Sequence, residues 1–84
     1  MLDYKQFHID KNGKPLYEER YEFVGRYFNG IARAKLDTKF FHINKNGKPL
    51  YKERYDDIYN YENGIAIVIL DNEYLHIDLN GKLL

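Results

Sequence analysis

The sequence has no cysteine, no tryptophan and no serine, and Thr38 is its only threonine. Each absence removes a class of chemistry. Without cysteine there is no disulfide, thiolate metal site or thiol nucleophile, and the chain fits a reducing compartment. Its 84 residues leave room for one small domain, 1–84. A chain of that length buries only about 60–65% of the surface its unfolded form exposes, so its stability margin is thin. Without serine, and with one threonine, hydroxyl-based nucleophilic catalysis has almost no candidate. Carboxylate-based hydrolysis has acids enough, but spacing singles out no pair. The composition reads as that of a protein that is not an enzyme and takes no cofactor.

Charge bias is also missing: thirteen Asp and Glu balance thirteen Lys and Arg. Affinity for nucleic acid rests on clustered cations meeting phosphates, so no nucleic-acid partner is expected. No apolar run approaches the length of a membrane span, and Met1-Leu2-Asp3-Tyr4-Lys5 lacks the basic stretch and apolar core of a leader. The expectation is a cytoplasmic protein with no membrane partner.

What the chain has in abundance is repetition. Phe41-His42-Ile43-Asn44-Lys45-Asn46-Gly47-Lys48-Pro49-Leu50-Tyr51 occurs nearly intact at Phe7–Tyr17 and, shortened, at Leu75–Leu84. The spacing is about 34 residues each time, which signals a repeat architecture. Units run over 3–36 and 37–70, with a truncated third over 71–84, and about 21 of the 34 aligned positions of the full units are identical. Nine tyrosines and five phenylalanines suit strands, where aromatic side chains pack well.

Each unit reads as short strands separated by turns, and no helix is expected. Phe41 and Ile43 fall on one face of a strand, His42 and Asn44 on the other. Asn44-Lys45-Asn46-Gly47 suits a type I turn with a glycine bulge, capped by the side chain of Asn44 and, in the other copies, Asp10 and Asp78. Lys48-Pro49-Leu50-Tyr51 reads as the returning strand, with proline at its start or on an edge. Asn29-Gly30 and Asn63-Gly64, between apolar residues, are strong hairpin signals, and Asp37-Thr38-Lys39 and Asp71-Asn72-Glu73 supply the next turns. The predicted fold is all-β: tandem hairpins in a meander of about ten short strands, closed like a propeller or barrel or stacked as an open array. The last hairpin should leave an open edge, a template for another chain or for closure onto the first strand.

Positions where the copies disagree carry the functional information. In Ile31-Ala32-Arg33-Ala34-Lys35-Leu36 one face, Ala32, Ala34 and Leu36, is core and the other is solvated. In the second unit Arg33 and Lys35 become Ile67 and Ile69, so Ile65–Leu70 is apolar on both faces. Such a strand is buried on both sides or presents an interaction surface, and Ile67 and Ile69 are expected to be covered by the chain or by a second copy. Ile65, Ile67, Ile69 and Tyr59, which stands where the first unit has Gly25, are the candidate partner-binding residues. Phe23 and Phe28 exchange with Asp57 and Glu62.

Tyr17-Glu18-Glu19-Arg20-Tyr21 and Tyr51-Lys52-Glu53-Arg54-Tyr55 repeat an aromatic and charged cluster. Tyr17 and Tyr51 are candidate platforms for a sugar or anchors for a partner. The simpler reading has the tyrosines closing the core, with Arg20 and Arg54 over the rings and paired to neighbouring Glu. His8, His42 and His76 could converge on a metal only if the units gathered about an axis, and plain hydrogen bonds to acids such as Asp10 and Asp78 are the expected role. No metal site is assigned. The Asn-Gly-Lys and Asp-Lys-Asn-Gly runs lack the residues that phosphate and calcium loops require.

Tyr55-Asp56-Asp57-Ile58, Asn63-Gly64-Ile65-Ala66 and the Phe41–Pro49 stretch resemble the bacterial WG-type (KWG-like) β-repeats. The resemblance covers essentially the whole chain. The eponymous Trp-Gly is absent, with Gln6-Phe7, Phe40-Phe41 and Tyr74-Leu75 in its place, as in a divergent subtype. It implies a β-rich tandem repeat used for binding or scaffolding, often in longer arrays, without catalytic residues to transfer. The leading expectation is a protein-interaction module that self-associates. The alternatives are a glycan or cell-wall binder, a small enzyme or metal protein built on the repeated histidines, and a designed or excised piece of an array with no activity of its own.

Overall fold

The structure, a computed structural model, describes residues 6–84. The proposed start of the first unit at Asp3, and the stretch Met1–Lys5, lie outside them. The described residues form an all-β molecule of six strands: β1 (Phe23–Val24), β2 (Ala32–Leu36), β3 (Lys39–Ile43), β4 (Asp57–Ile58), β5 (Ala66–Leu70) and β6 (Glu73–Ile77). They make two antiparallel three-stranded sheets, ordered β1-β2-β3 and β4-β5-β6. Each sheet takes two strands from one sequence unit and its third from the next, so the sheets straddle the sequence boundary and tie the units together.

Local chemistry sets the turns. Asn29-Gly30 and Asn63-Gly64 both take positive φ, closing two-residue loops between Phe28 and Ile31 and between Glu62 and Ile65. Asp37-Thr38 and Asp71-Asn72 close the β2–β3 and β5–β6 hairpins in the same way. This left-handed backbone matches the twist of the flanking strands, and Asn and Asp tolerate it well. The Asn44 turn is the capped glycine-bulge form: Asn44 Oδ1 accepts from the amides of Asn46 and Lys48 at 2.9 and 3.1 Å, and Gly47 N–H donates to Asn44 C=O at 3.0 Å. Asp10 and Asp78 build the same turn in the other copies.

The returning segment is not a strand. Lys48–Tyr51 pairs through one bridge, Ile43 to Pro49, and the equivalent bridges are Ile9 to Pro15 and Ile77 to Leu83. Pro49 and Pro15 have no N–H to extend a ladder, so the chain leaves the hairpin and bends away. The meander thus has fewer regular strands than the expected ten or so.

Ala32, Ala34, Phe41 and Ile43 of the first sheet and Ile58, Ala66, Val68 and Ile77 of the second form the core with Tyr17, Tyr21, Tyr51 and Tyr55. Leu36, expected on the core face, is exposed at the strand end. His42, expected on the outer face, is fully buried beside Phe41 and Ile43. A segment of the next stretch of chain wraps the second side of β3 and puts it there.

Candidate functional site

The wrapping segment is Tyr51–Tyr61, termed the arm of the second unit, and it grips the hairpin Phe40–Leu50 by five contacts. Phe40 and Tyr55 exchange backbone hydrogen bonds of 2.8 and 3.0 Å along the outer edge of β3. The Arg54 guanidinium lies 3.9 Å from the Phe41 ring centre. His42 Nε2 lies 2.8 Å from the Tyr59 carbonyl and Nδ1 lies 2.6 Å from the Tyr51 hydroxyl. The Tyr61 ring packs 4.5 Å from the imidazole. A carbonyl can only accept, so Nε2 carries the proton and Nδ1 accepts from Tyr51.

The first unit repeats this grip. Gln6 and Tyr21 exchange backbone bonds of 2.7 and 3.1 Å, and Arg20 sits 3.8 Å over Phe7. His8 meets the Tyr17 hydroxyl and the Gly25 carbonyl, each at 2.6 Å, and Tyr27 packs on its ring at 4.3 Å. The histidines therefore bond to tyrosine and backbone rather than to Asp10 or Asp78, whose carboxylates cap turns. Arg20 and Arg54 do lie over rings, but those of phenylalanine. Their Nη1 atoms donate to the backbone carbonyls of residues 17–19 and 51–53, not to a neighbouring Glu carboxylate, which rigidifies the arm's first turn.

Each arm also holds the hairpin that follows. The Tyr17 ring covers Gly47 and the Tyr51 ring covers Gly81 so closely that a methyl group at either glycine would overlap ring carbons. Tyr27 and Tyr61 donate to the carbonyls of Asn44 and Asp78, both at 2.6 Å, and Tyr21 donates to Gly47 C=O at 2.5 Å. Burial pushes all these phenols above their ordinary range, Tyr27 and Tyr61 to about 12, so they stay protonated donors. Burial likewise drives His42 down to about 4, with the nearby Arg33 adding to the shift against the Tyr59 hydrogen bond.

Among the described residues the third hairpin, Tyr74–Leu84, has no arm on its outer edge. Its turn is fully formed, yet His76 is exposed and Leu75 only half-buried where His42 and Phe41 are sealed. A groove of about 610 Å³ opens there, lined by Arg54, Tyr55, Leu70, Leu75, Gly81 and Leu83.

The outer faces of the two sheets differ as well. On the first, Lys35 pairs with Phe23 and Phe40, its ammonium 5.5 Å over the Phe40 ring, and the Arg33 side chain folds across Gly25. On the second, the same positions hold Ile69 against Tyr74 and Asp57, and Ile67 against His76. Ile67 is 37% exposed, Ile65 42%, Tyr59 49% and Tyr74 65%, while Ile69 is half-buried. The described residues do not supply the cover expected for Ile67: β5 is central in its sheet, but Ile67 stays 37% exposed on that face. Tyr17 and Tyr51 lie elsewhere, 7% exposed in the core, so they cannot serve as open sugar platforms. Tyr74, which sequence reasoning passed over, completes the patch, and the signal available was its match to Phe40.

Among the described residues no three of His, Asp and Glu gather as metal ligands, and no helix is long and apolar enough to cross a membrane. No curated protein and no solved structure matches the chain. Two stretches, residues 9–40 and 43–74, match the WG-containing repeat and together span most of the sequence. With its two matched units, its all-β hairpins and the arm-on-hairpin contact recurring between them, the chain belongs to the WG-containing repeat family.

Proposed function

We propose that this chain is a non-catalytic interaction module that associates with a second copy through the outer face of β4-β5-β6. The observation that carries this reading is the unequal cover of two equivalent sheet faces. Where the first sheet has the Lys35 ammonium over the Phe40 ring and the Arg33 side chain across Gly25, the second exposes Ile65, Ile67, Tyr59 and Tyr74. Contiguous exposed apolar surface on a small protein marks a contact site. With Asp57 the one acid among Asp57, Tyr59, Ile65, Ile67, Ile69 and Tyr74, this face can meet its own copy about a two-fold axis with little like-charge repulsion.

The test uses the chain's own first unit as template. Ile67→Arg with Ile69→Lys places on the second sheet the residues that the first sheet already carries at those positions. Sedimentation over a concentration series is expected to show a reversible dimer for the parent chain and a monomer for the double variant with unchanged circular dichroism. A parent chain that remains monomeric at millimolar concentration would remove the proposal.

A further inference from the structure

Five of the six glycines follow an asparagine, at Asn12-Gly13, Asn29-Gly30, Asn46-Gly47, Asn63-Gly64 and Asn80-Gly81. An Asn-Gly pair is where a chain can modify itself, because no Cβ shields the glycine nitrogen from the asparagine side chain. We infer that Asn63-Gly64, and after it Asn29-Gly30, are sites of spontaneous deamidation and isoaspartate formation, and that the fold holds the other three pairs inert. These sites exist whether or not the chain associates with a second copy.

The chemistry balances with water as the one co-reactant. The Gly64 amide nitrogen attacks Cγ of Asn63. An N–Cγ bond forms, the Cγ–Nδ2 bond breaks, and the side-chain nitrogen leaves as ammonia, taking up the proton that the Gly64 amide gives up. Water then opens the five-membered imide at either carbonyl, leaving aspartate or, with the main chain routed through the side chain, isoaspartate. Nothing is oxidised or reduced.

What selects among five pairs of the same chemistry is the freedom of the glycine N–H. In the three capped turns it is engaged: Gly13, Gly47 and Gly81 donate to the carbonyls of Asp10, Asn44 and Asp78, each at 3.0 Å. The capping side chain also holds the amides on either side, those of residues 12 and 14, 46 and 48, and 80 and 82. Gly47 and Gly81 are buried beneath tyrosine rings as well. A peptide pinned at these points cannot swing its nitrogen onto the side chain unless the turn opens. In the two-residue loops only the flanking residues bond, Phe28 with Ile31 and Glu62 with Ile65. Among the described residues the N–H groups of Gly30 and Gly64 have no partner, and Asn29 and Asn63 are exposed. Each loop is closed by a single bridge rather than a ladder, so it opens locally at small cost. One neighbour separates the two loops. The Lys45 side chain packs on Gly30, its Cε 3.1 Å from where a Cβ would stand, whereas Gly64 has open space around it. Asn63 therefore reacts first, and its product adds a carboxylate two residues before Ile65, at the margin of the exposed face.

The test follows all five pairs in one sample, so that each is a control for the others. The full chain is held in dilute, warm, neutral buffer made with heavy-oxygen water, and its digest is read by mass spectrometry for aspartate and isoaspartate. Asn63 is expected to convert at least about tenfold faster than Asn46 and Asn80, which must wait for their turns to open, with one heavy oxygen gained per conversion and Asn29 in between. In urea, where the fold is gone, the five rates should draw together. Asn44→Ala, which removes one cap, should speed Asn46 about fivefold. If that variant unfolds, the comparison of native with urea-unfolded parent chain carries the test alone. Equal rates at the five pairs in the folded chain, a native order led by Asn46 or Asn80, no conversion at Asn63, or an order that urea leaves unchanged overturns the inference.

Discussion

His42 and His76 stand at the same register position of the same hairpin, and one is sealed while the other is open to solvent. The hairpins themselves are nearly identical, down to the capped turn and the bridge that follows it. What differs is the segment behind them, since Tyr51–Tyr61 wraps the second hairpin and no described segment wraps the third. The difference teaches that this repeat is not a self-contained unit. A hairpin of two short strands is marginal alone, and here each becomes core only when an arm lies on its outer edge and the tyrosine of the preceding arm lies on its turn.

The comparison can be broken most severely at the turn glycines. Gly47→Ala is expected to cost about 3–4 kcal/mol, since φ of +77 disfavours a side chain and the Tyr17 ring occupies the space. Gly81→Ala, beneath Tyr51, should approach that value. Gly13→Ala, with the same backbone sign but open space around it, should cost only about 1 kcal/mol. Urea denaturation of the three variants measures the order, and equal costs would mean that the arm tyrosines do not hold the turns.

Next in size is the histidine pair. His42→Ala strands the Tyr51 hydroxyl and the Tyr59 carbonyl inside the protein and should destabilise it by about 2–3 kcal/mol. His76→Ala, at an exposed position, should stay within about 0.5 kcal/mol. The same asymmetry sharpens into a pH dependence. The imidazole of His42 is held at about 4 in the folded state against an ordinary 6.5, so the unfolded chain binds more protons in between. Its contribution is therefore fully present above about pH 6.5 and is lost as pH falls towards 4, up to about 3 kcal/mol in all. His42→Gln should flatten that slope in denaturation measured from pH 7 to 4, and an unchanged slope would show that another group carries it.

The smallest effect lies in a turn. Thr38 is β-branched and sits at φ +65, where the second unit places Asn72 at +67. Thr38→Asn should stabilise the chain by about 1 kcal/mol, read as a higher urea midpoint.

The turns and the repeat were legible in the sequence because their causes are local: Asn-Gly selects the two-residue loop, and Asn44 and Gly47 serve the bulge within one short stretch. The alternation that put Ala32 and Ala34 inside was equally local. Burial of His42 was not, because it depends on a hydroxyl nine residues away and a carbonyl seventeen away. Neither was the reason for Gly47, whose neighbour is a ring thirty residues earlier in the chain. The strand expected at Lys48–Tyr51 failed for a reason present in the sequence, the missing N–H of Pro49, which ends a ladder as readily as it begins one. At the candidate surface, substitution of Arg33 and Lys35 by Ile67 and Ile69 showed in the sequence that β5 is apolar on both faces. Its lack of cover could not be read from composition, since a strand apolar on both faces is equally at home inside a core.

Native-state amide hydrogen exchange in dilute solution bears most directly on the arm-and-hairpin relation. The Phe40 N–H, bonded to the Tyr55 carbonyl, should exchange only on global or near-global unfolding. The equivalent Tyr74 N–H, on the edge of β6 that no described segment pairs, should exchange at close to the rate of an open chain. Equal protection of Phe40 and Tyr74 in the monomer would contradict the unpaired outer edge of the third hairpin, and with it the explanation of why His42 and His76 differ.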